Sequence, residues 1–253
     1  MMKKLLLLFI IFTLSKALLG QQEFSLFQFS GIPQQNLVNP AIMPSEKWVV
    51  GLPVLSSIKT SYNNKAYSPN EGLYLENGVL NIDLEVLASN LKKNNFINSQ
   101  FQDQWFLIGY RISKHYFKIG VSEKVAFDFS FPNTLFDFLL KGNAQYLGER
   151  VSISNLKLNV SNYREISLGY SNKLNDKWQV GGHLNLLFGL ANLSNYKSSL
   201  GIYTNHENYE ITIDGNVEIN SSGLNSLEGS TTDYLKNASN FGLGIDLGAQ
   251  YKP

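Results

Sequence analysis

Three histidines, His115, His183 and His206, are the side chains best suited to acid–base or metal chemistry, and their spacing matches no metal-ligand pattern. His183 alone falls inside a long alternating run, on the same parity as Asn185. A titratable group in a membrane-crossing strand is by default a functional candidate. In a wet, polar barrel interior the same group more readily serves structure. Hydrolysis by a Ser–His pair would need a nucleophile beside His183, and no serine stands out from the many present. Lys118, Lys124, Asp128, Glu165 and Asp246 lie on the polar parity of their runs, where cross-strand pairing is expected of them before substrate binding. Gly242-Leu243-Gly244 lacks the following helix that a phosphate-cradling loop requires. The expectation is therefore a non-enzymatic chain, with no catalytic residue, no cofactor-binding residue and no metal ligand assigned.

Composition narrows the class further. The 253 residues include no cysteine, which removes disulfide scaffolds, Cys-ligated zinc, iron–sulfur clusters, thiol catalysis and a lipid-modified N-terminal Cys. A formal net charge of +1 gives no basic excess for phosphate neutralisation, so no nucleic-acid partner is expected. Low charge, 16%, coexists with 13% aromatics and a mean hydropathy of only −0.12. That combination fits neither an ordinary soluble enzyme nor a helical membrane protein. Lys3-Lys4, the apolar run Leu5 to Leu14 and the polar Gln21-Gln22 after Gly20 have the layout of a secretory signal peptide, too short to span comfortably as an anchor. Its removal takes three lysines from the 21 basic residues, leaving 18 against 20 acidic ones, a net of −2.

The elements that would position these side chains are strands. Phe117, Ile119, Val121, Glu123, Val125, Phe127, Phe129 and Phe131 alternate with Lys118, Gly120, Ser122, Lys124, Ala126, Asp128 and Ser130. Trp178 to Leu190 repeats the pattern with Leu187 as its violation, and Phe241 to Tyr251 repeats it with none. Ile166, Leu168 and Tyr170 give a shorter run, and Phe106 to Ile112 a looser one, with Trp105 and Leu107 on the opposite parity. Period two places one set on each face of a strand. A soluble sandwich would use strands of about 5–6 residues, whereas a transmembrane barrel needs about 9–11. The length of these runs and the Gly-rich polar parity of the last one favour the barrel.

Turns and rings agree with that choice. Tyr110, Phe117, Tyr170, Trp178 and Tyr251 stand next to short connections on the apolar parity, where an interfacial girdle would place them. The opposite strand ends enter long polar segments, the asymmetry of an outer-membrane barrel with its short side periplasmic. Gly109-Tyr110 before a turn and Phe117-Lys118-Ile119-Gly120 are echoed by Gly169-Tyr170 and Trp178-Gln179-Val180-Gly181, a repeated hairpin. Strands are expected over 48–60, 72–84, 104–113, 116–131, 150–172, 177–193, 196–204, 208–220 and 240–252. Asn77-Gly78 offers a tight hairpin within the second, and a parity change predicts a bulge near Ser154-Asn155. Thr134 to Leu140 and Leu84 to Leu91 read as short loop helices.

Gly31-Ile32-Pro33-Gln34-Gln35-Asn36-Leu37-Val38-Asn39-Pro40-Ala41, followed by Trp48 to Ser57, resembles the start of an uncharacterised family of Bacteroidota proteins, the DUF5723 group. Lys141-Gly142-Asn143-Ala144, Tyr163-Arg164-Glu165, Gly169-Tyr170 and Phe241 to Tyr251 resemble its later landmarks. The resemblance spans essentially the whole mature chain and implies an outer-membrane barrel; it brings no functional residue with it. The Asn39-Pro40-Ala41 motif is also similar to barrel proteins of type IX secretion and gliding, more weakly. Members of the group are typically longer.

The expected architecture is an all-β, antiparallel, up-and-down transmembrane β-barrel with one or two loop helices. A signal peptide occupies 1–20, an N-terminal segment that could plug the lumen 21–45, and the barrel domain 46–253. No terminal aromatic strand completes it, so closure is expected from further sequence or from another chain. Localisation is the cell outer membrane, with lipid as the surrounding partner. The leading function is passage or binding of a small solute, hydrophobic solutes included. The alternative is an accessory barrel of a secretion or gliding machine that touches an envelope protein partner. An outer-membrane hydrolase stands third.

Overall fold

The computed structural model describes residues 26, 29, 31–66, 68, 72–224, 230, 234 and 240–252. The signal peptide expected over 1–20 lies outside them. Strands dominate: β1 (Trp48–Gly51), β2 (Ile58–Asn64), β3 (Leu73–Glu76), β4 (Val79–Ile82), β5 (Asn94–Ile112), β6 (His115–Pro132), β7 (Arg150–Ser152), β8 (Lys157–Lys173), β9 (Trp178–Thr204), β10 (Ile211–Ser222) and β11 (Phe241–Tyr251). β3 and β4 form a separate hairpin. Its turn residues, Asn77 and Gly78, both adopt positive φ (52° and 77°), as the Asn-Gly pair predicts for a type I′ turn.

The other nine strands make one antiparallel sheet, six columns wide. β1 and β2 lie end to end along β5, and β6 and β8 follow in meander order. β9 then carries β8 and β7 along one side and β11 and β10 along the other. The single strand expected over 48–60 is broken, because Pro53 and the positive φ of Val54 (66°) turn the chain between β1 and β2. The expected strand 150–172 divides where Asn155 takes φ 72°, near the anticipated irregularity, and a further bulge falls at Asn162/Tyr163. The two strands expected over 177–193 and 196–204 are one strand of 27 residues. Helices Leu84–Ser89 and Asn133–Lys141 occupy the two expected places, the first capped by the Asp83 carboxylate accepting from the Val86 amide.

The register puts the predicted faces where the alternation places them. Lys118, Ser122, Ser167, Ser171, Gln179, His183 and Asn185 are buried, whereas Phe117, Leu168, Trp178, Leu243 and Leu247 are exposed, Leu247 to 83%. Polar-in and apolar-out is the reverse of a soluble domain. One cavity of about 60 Å³ on the polar face is lined by Lys59 of β2, Lys118 of β6 and Asp246 of β11, so it touches the first column, an inner one and the last. In a flat sheet the outer columns would stand roughly 24 Å apart, at about 4.8 Å per strand. The sheet is therefore rolled around its polar face. It does not close: among the described residues no ladder joins the β1/β2 column to the β10/β11 column. The structure thus establishes an antiparallel all-β sheet, and the closed barrel expected from the alternation is not found.

Ring pairs mark the short-turn end of the apolar face. Trp48 and Tyr110 are 4.3 Å apart, Phe117 and Tyr170 5.2 Å, and Trp178 and Tyr251 5.0 Å. At the other end β9 and β10 run on as a ribbon whose β10 residues are exposed on both faces. Arg150 braces it by reaching across Gly201, which has no side chain to obstruct the guanidinium, to bind both carboxylate oxygens of Asp214 at 2.7–3.1 Å. That hydrogen bonding holds the Asp214 carboxyl below the usual carboxylate range. A depressed folded-state value contributes stability above the unfolded value, near 3.8, and loses it as pH falls through the folded one. Asp214→Asn is expected to lower amide protection factors at 199–204 and 211–216 a few-fold, with the rest of the sheet unchanged. Acidifying the unsubstituted protein should reproduce that local loss.

Candidate functional site

The polar face carries most of the charge the strands contribute inward. Lys124 of β6 donates to Glu165 of β8 at 2.8 Å. Asp128 accepts from Asn98 (2.6 Å) and Asn159 (3.1 Å), its neighbours on either side. Asp246 of β11 accepts from Asn185 at 2.8 Å and faces His183 Nδ1 at 3.7 Å. Four of the five charged residues singled out on this parity are thus engaged across strands, as expected. Lys118 differs: its Nζ has no hydrogen-bond partner among the described residues, although the residue is only 6% exposed. Its stem lies over Gly169, where a Cβ would sit 2.6 Å from Lys118 Cγ and 2.9 Å from His183 Cδ2. Gly169 therefore makes the space in which lysine and imidazole lie side by side.

Residues 31–46 pack onto the same face. The single helical turn Gln35–Val38 presents Asn36, which is 2% exposed and acts as a clasp. Its Nδ2 donates to Pro40 O (3.1 Å), Ile42 O (2.9 Å) and Ser171 Oγ (3.3 Å), while its Oδ1 faces His183 Nε2 at 3.1 Å. With Asn36 Nδ2 donating, Oδ1 is an acceptor and His183 Nε2 the donor to it. Ser171 Oγ in turn donates to Pro40 O at 2.6 Å, and Asn39 Nδ2 to Ala249 O at 3.2 Å. Gly181 and Gly248 are paired in the β9–β11 register, and a side chain at either would run into Pro40 or Asn39. The bare strip they form admits the backbone of Asn39 to Ala41 against the sheet. His183 thus bridges sheet and segment: one ring nitrogen meets Asn36, and the other faces Asp246. Ser171, the serine of this network, directs its hydroxyl to Pro40 instead.

A second polar group occupies the otherwise apolar face, and the alternation showed only Glu123 of it. Glu123 lies 3.6 Å from Arg164 and accepts from Asn162 (3.1 Å) and from the hydroxyl of Tyr234. The Arg164 guanidinium lies 4.9 Å from the centre of the Trp105 ring and 5.4 Å from that of Tyr234. Trp105 stands at the β5 bulge between Gln104 and Phe106, which accounts for its parity violation. The two rings flank a charge pair whose side chains are largely withdrawn from solvent, 8% and 14% exposed. Tyr234 is remote in sequence and carries no pattern, so only the fold brings it here.

The chain belongs to the family of unknown function DUF5723, whose model matches residues 40–253. No curated protein and no solved structure matches it. Among the described residues no group of His, Asp and Glu is arranged to hold a metal ion.

Gly181→Val is expected to expel the 31–46 segment from the sheet, and Asn36→Ala to loosen it by about 1–3 kcal/mol through the unmet donors and acceptors it leaves. Limited proteolysis with a broad-specificity protease measures this: cleavage within 31–46 should quicken at least tenfold in the valine variant, while the sheet stays intact.

Proposed function

For this member of the DUF5723 family we propose an outer-membrane β-barrel protein, without enzymatic activity, that binds or passes a small solute along its polar face. The observation that carries the reading is the inverted burial of the sheet. Residues such as Ile245 and Leu247 project outward at 72% and 83% exposure, while Gln104 and Ser171 are buried. Water disfavours so large an apolar wall, and lipid favours it. The wall also has a suitable height. β11 keeps its apolar parity for 11 residues, roughly 36 Å along the strand, or about 27 Å at the usual barrel tilt. Rings at the short-turn end stand where headgroups would meet them. The expected signal peptide supplies the export route, and closure of the wall in lipid would need the edges of β1/β2 and β10/β11 to be paired. The 31–46 segment, clasped by Asn36 and Ser171, obstructs the polar face and serves as the plug.

A second reading, an accessory barrel that works by contact with an envelope protein, is favoured by the ribbon of β9 and β10. It carries Ile211, Ile213 and Ile219, each more than half exposed, well beyond the apolar wall. Planar-bilayer recording on the mature chain separates the two. Passage predicts small, brief openings that become larger and longer when Gly181→Val displaces the plug. Bilayers that stay sealed with both proteins would overturn passage, and co-purification of an envelope partner that depends on residues 205–220 would then favour the contact reading.

A further inference from the structure

We infer that the short-turn end of the sheet is a docking surface for anionic phospholipid headgroups; the inference deepens the outer-membrane reading proposed above and rests on it. The first observation is a double tier of side chains that recurs three times along that end. Trp48 pairs with Tyr110, Phe117 with Tyr170 and Trp178 with Tyr251, each a rung of aromatic residues on the apolar face. Beyond each, at the strand ends, lies a rung of two basic residues. The Arg111 amide donates to Lys47 O, that of Lys173 to Lys114 O and that of Lys252 to Lys177 O, all at 2.8 Å. Like charges placed opposite each other across strands repel, so the arrangement gains from negative charge placed beyond it. The second observation is the charge balance. Residues 45–48, 110–117, 170–178 and 251–252 hold six Lys and Arg side chains against two acids, Glu46 and Asp176, a surplus of four. Elsewhere the sequence holds 15 basic against 18 acidic residues. Asp176 is engaged by Lys173 at 2.8 Å, and Lys47, Lys114, Lys177 and Lys252 are exposed.

The place of the surplus decides the partner. Indole and phenol rings settle at the headgroup boundary of a bilayer, and the polar layer beyond that boundary is about 5–7 Å thick on each side. Basic rungs one to three residues past the rings, about 3–10 Å at about 3.4 Å per residue, fall within it. Lys47 Nζ lies over the Tyr110 ring, 6.0 Å from its centre, and lysine stems extend from such rings to a phosphate. Zwitterionic headgroups carry their own cation, so a positive surplus is matched by phospholipids of net negative charge. The rungs are spread over β1/β5, β6/β8 and β9/β11, tracing a rim and not the compact patch that a protein partner would cover. A cavity of about 530 Å³ beside residues 31–45 is bordered by four of the six basic residues but not by Lys47 or Lys177, so a solute held there would not account for the tier.

Tryptophan quenching tests the surface. The mature chain is reconstituted into mixed bilayers of phosphatidylcholine and phosphatidylglycerol, one or the other with dibrominated chains, and quenching of Trp48 and Trp178 gives the relative affinity of the two lipids for the ring tier. Phosphatidylglycerol is expected to be favoured at least threefold, and the preference to fall towards unity as sodium chloride is raised from about 0.05 M to about 0.5 M. Combined Lys47→Gln, Lys114→Gln, Lys177→Gln and Lys252→Gln should abolish it. Combined Lys92→Gln, Lys93→Gln, Lys141→Gln and Lys157→Gln, which removes the same charge from the opposite end, should leave it intact. Equal affinity for the two lipids in the unsubstituted protein, or an equal loss in both variants, would overturn the headgroup surface and leave the barrel reading standing. Quenching by neither lipid would refute the outer-membrane reading and the surface with it. An acidic envelope protein held by the unsubstituted chain and released by the first set of substitutions, without any lipid preference, would also overturn the proposal. Should the first variant fail to insert, the salt series on the unsubstituted protein decides: a preference that persists at the higher salt refutes the surface.

Discussion

The polarity of the sheet is inverted, and the rest of the structure follows from that constraint. With apolar side chains directed outward, the hydrophobic effect cannot gather a core behind the strands. The large side chains that are almost wholly buried include Tyr116, Phe131 and Leu190, but also Gln104 and Asn95. Cohesion comes from continuous ladders over strands of 11 to 27 residues, and from polar groups that must find partners within the roll. Several inward residues answer that demand in their own ways: Asp128 through two asparagines, Glu165 through Lys124, His183 through Asn36 and Asp246.

The same demand explains why the N-terminal segment sits where it does. Strands β9 and β11 present two glycines side by side, and bare glycine offers a face neither contact surface nor polar partner. The turn at Asn39-Pro40-Ala41 supplies both. It brings backbone groups to Ser171 and a side-chain amide to Ala249, while the clasp made by Asn36 joins the turn to His183. Histidine here is a joint between two parts of one chain, which accounts for its burial without assigning it chemistry.

Much of this is legible in residue types, because period-two alternation survives in the long strands. It suffices for the faces of β6, β9 and β11, and local residue chemistry suffices for the Asn77-Gly78 hairpin, both loop helices and the rings at the short-turn end. β5 is only half visible. Its first part, Asn94 to Asp103, holds Asn98, Gln100 and Gln102 on one parity, and amides at that density read as loop. Ladders to β2 and β6 on both sides override their weak strand preference. The site is less legible still. Charged residues on one parity can be named, but which of them meet depends on register between strands and on a docking partner 147 residues away, as in Asn36 to His183. Paired glycines on the polar parity, Gly181 and Gly248, are the one signal that another part of the chain must approach there.

The clasp of Asn36 also joins parts of the chain that are far apart in sequence. Its contacts with Ser171 and His183 span 135 and 147 residues. Closing so long a loop costs chain entropy before any contact offsets it, so the clasp depends on β8 and β9 already holding Ser171 and His183 in register.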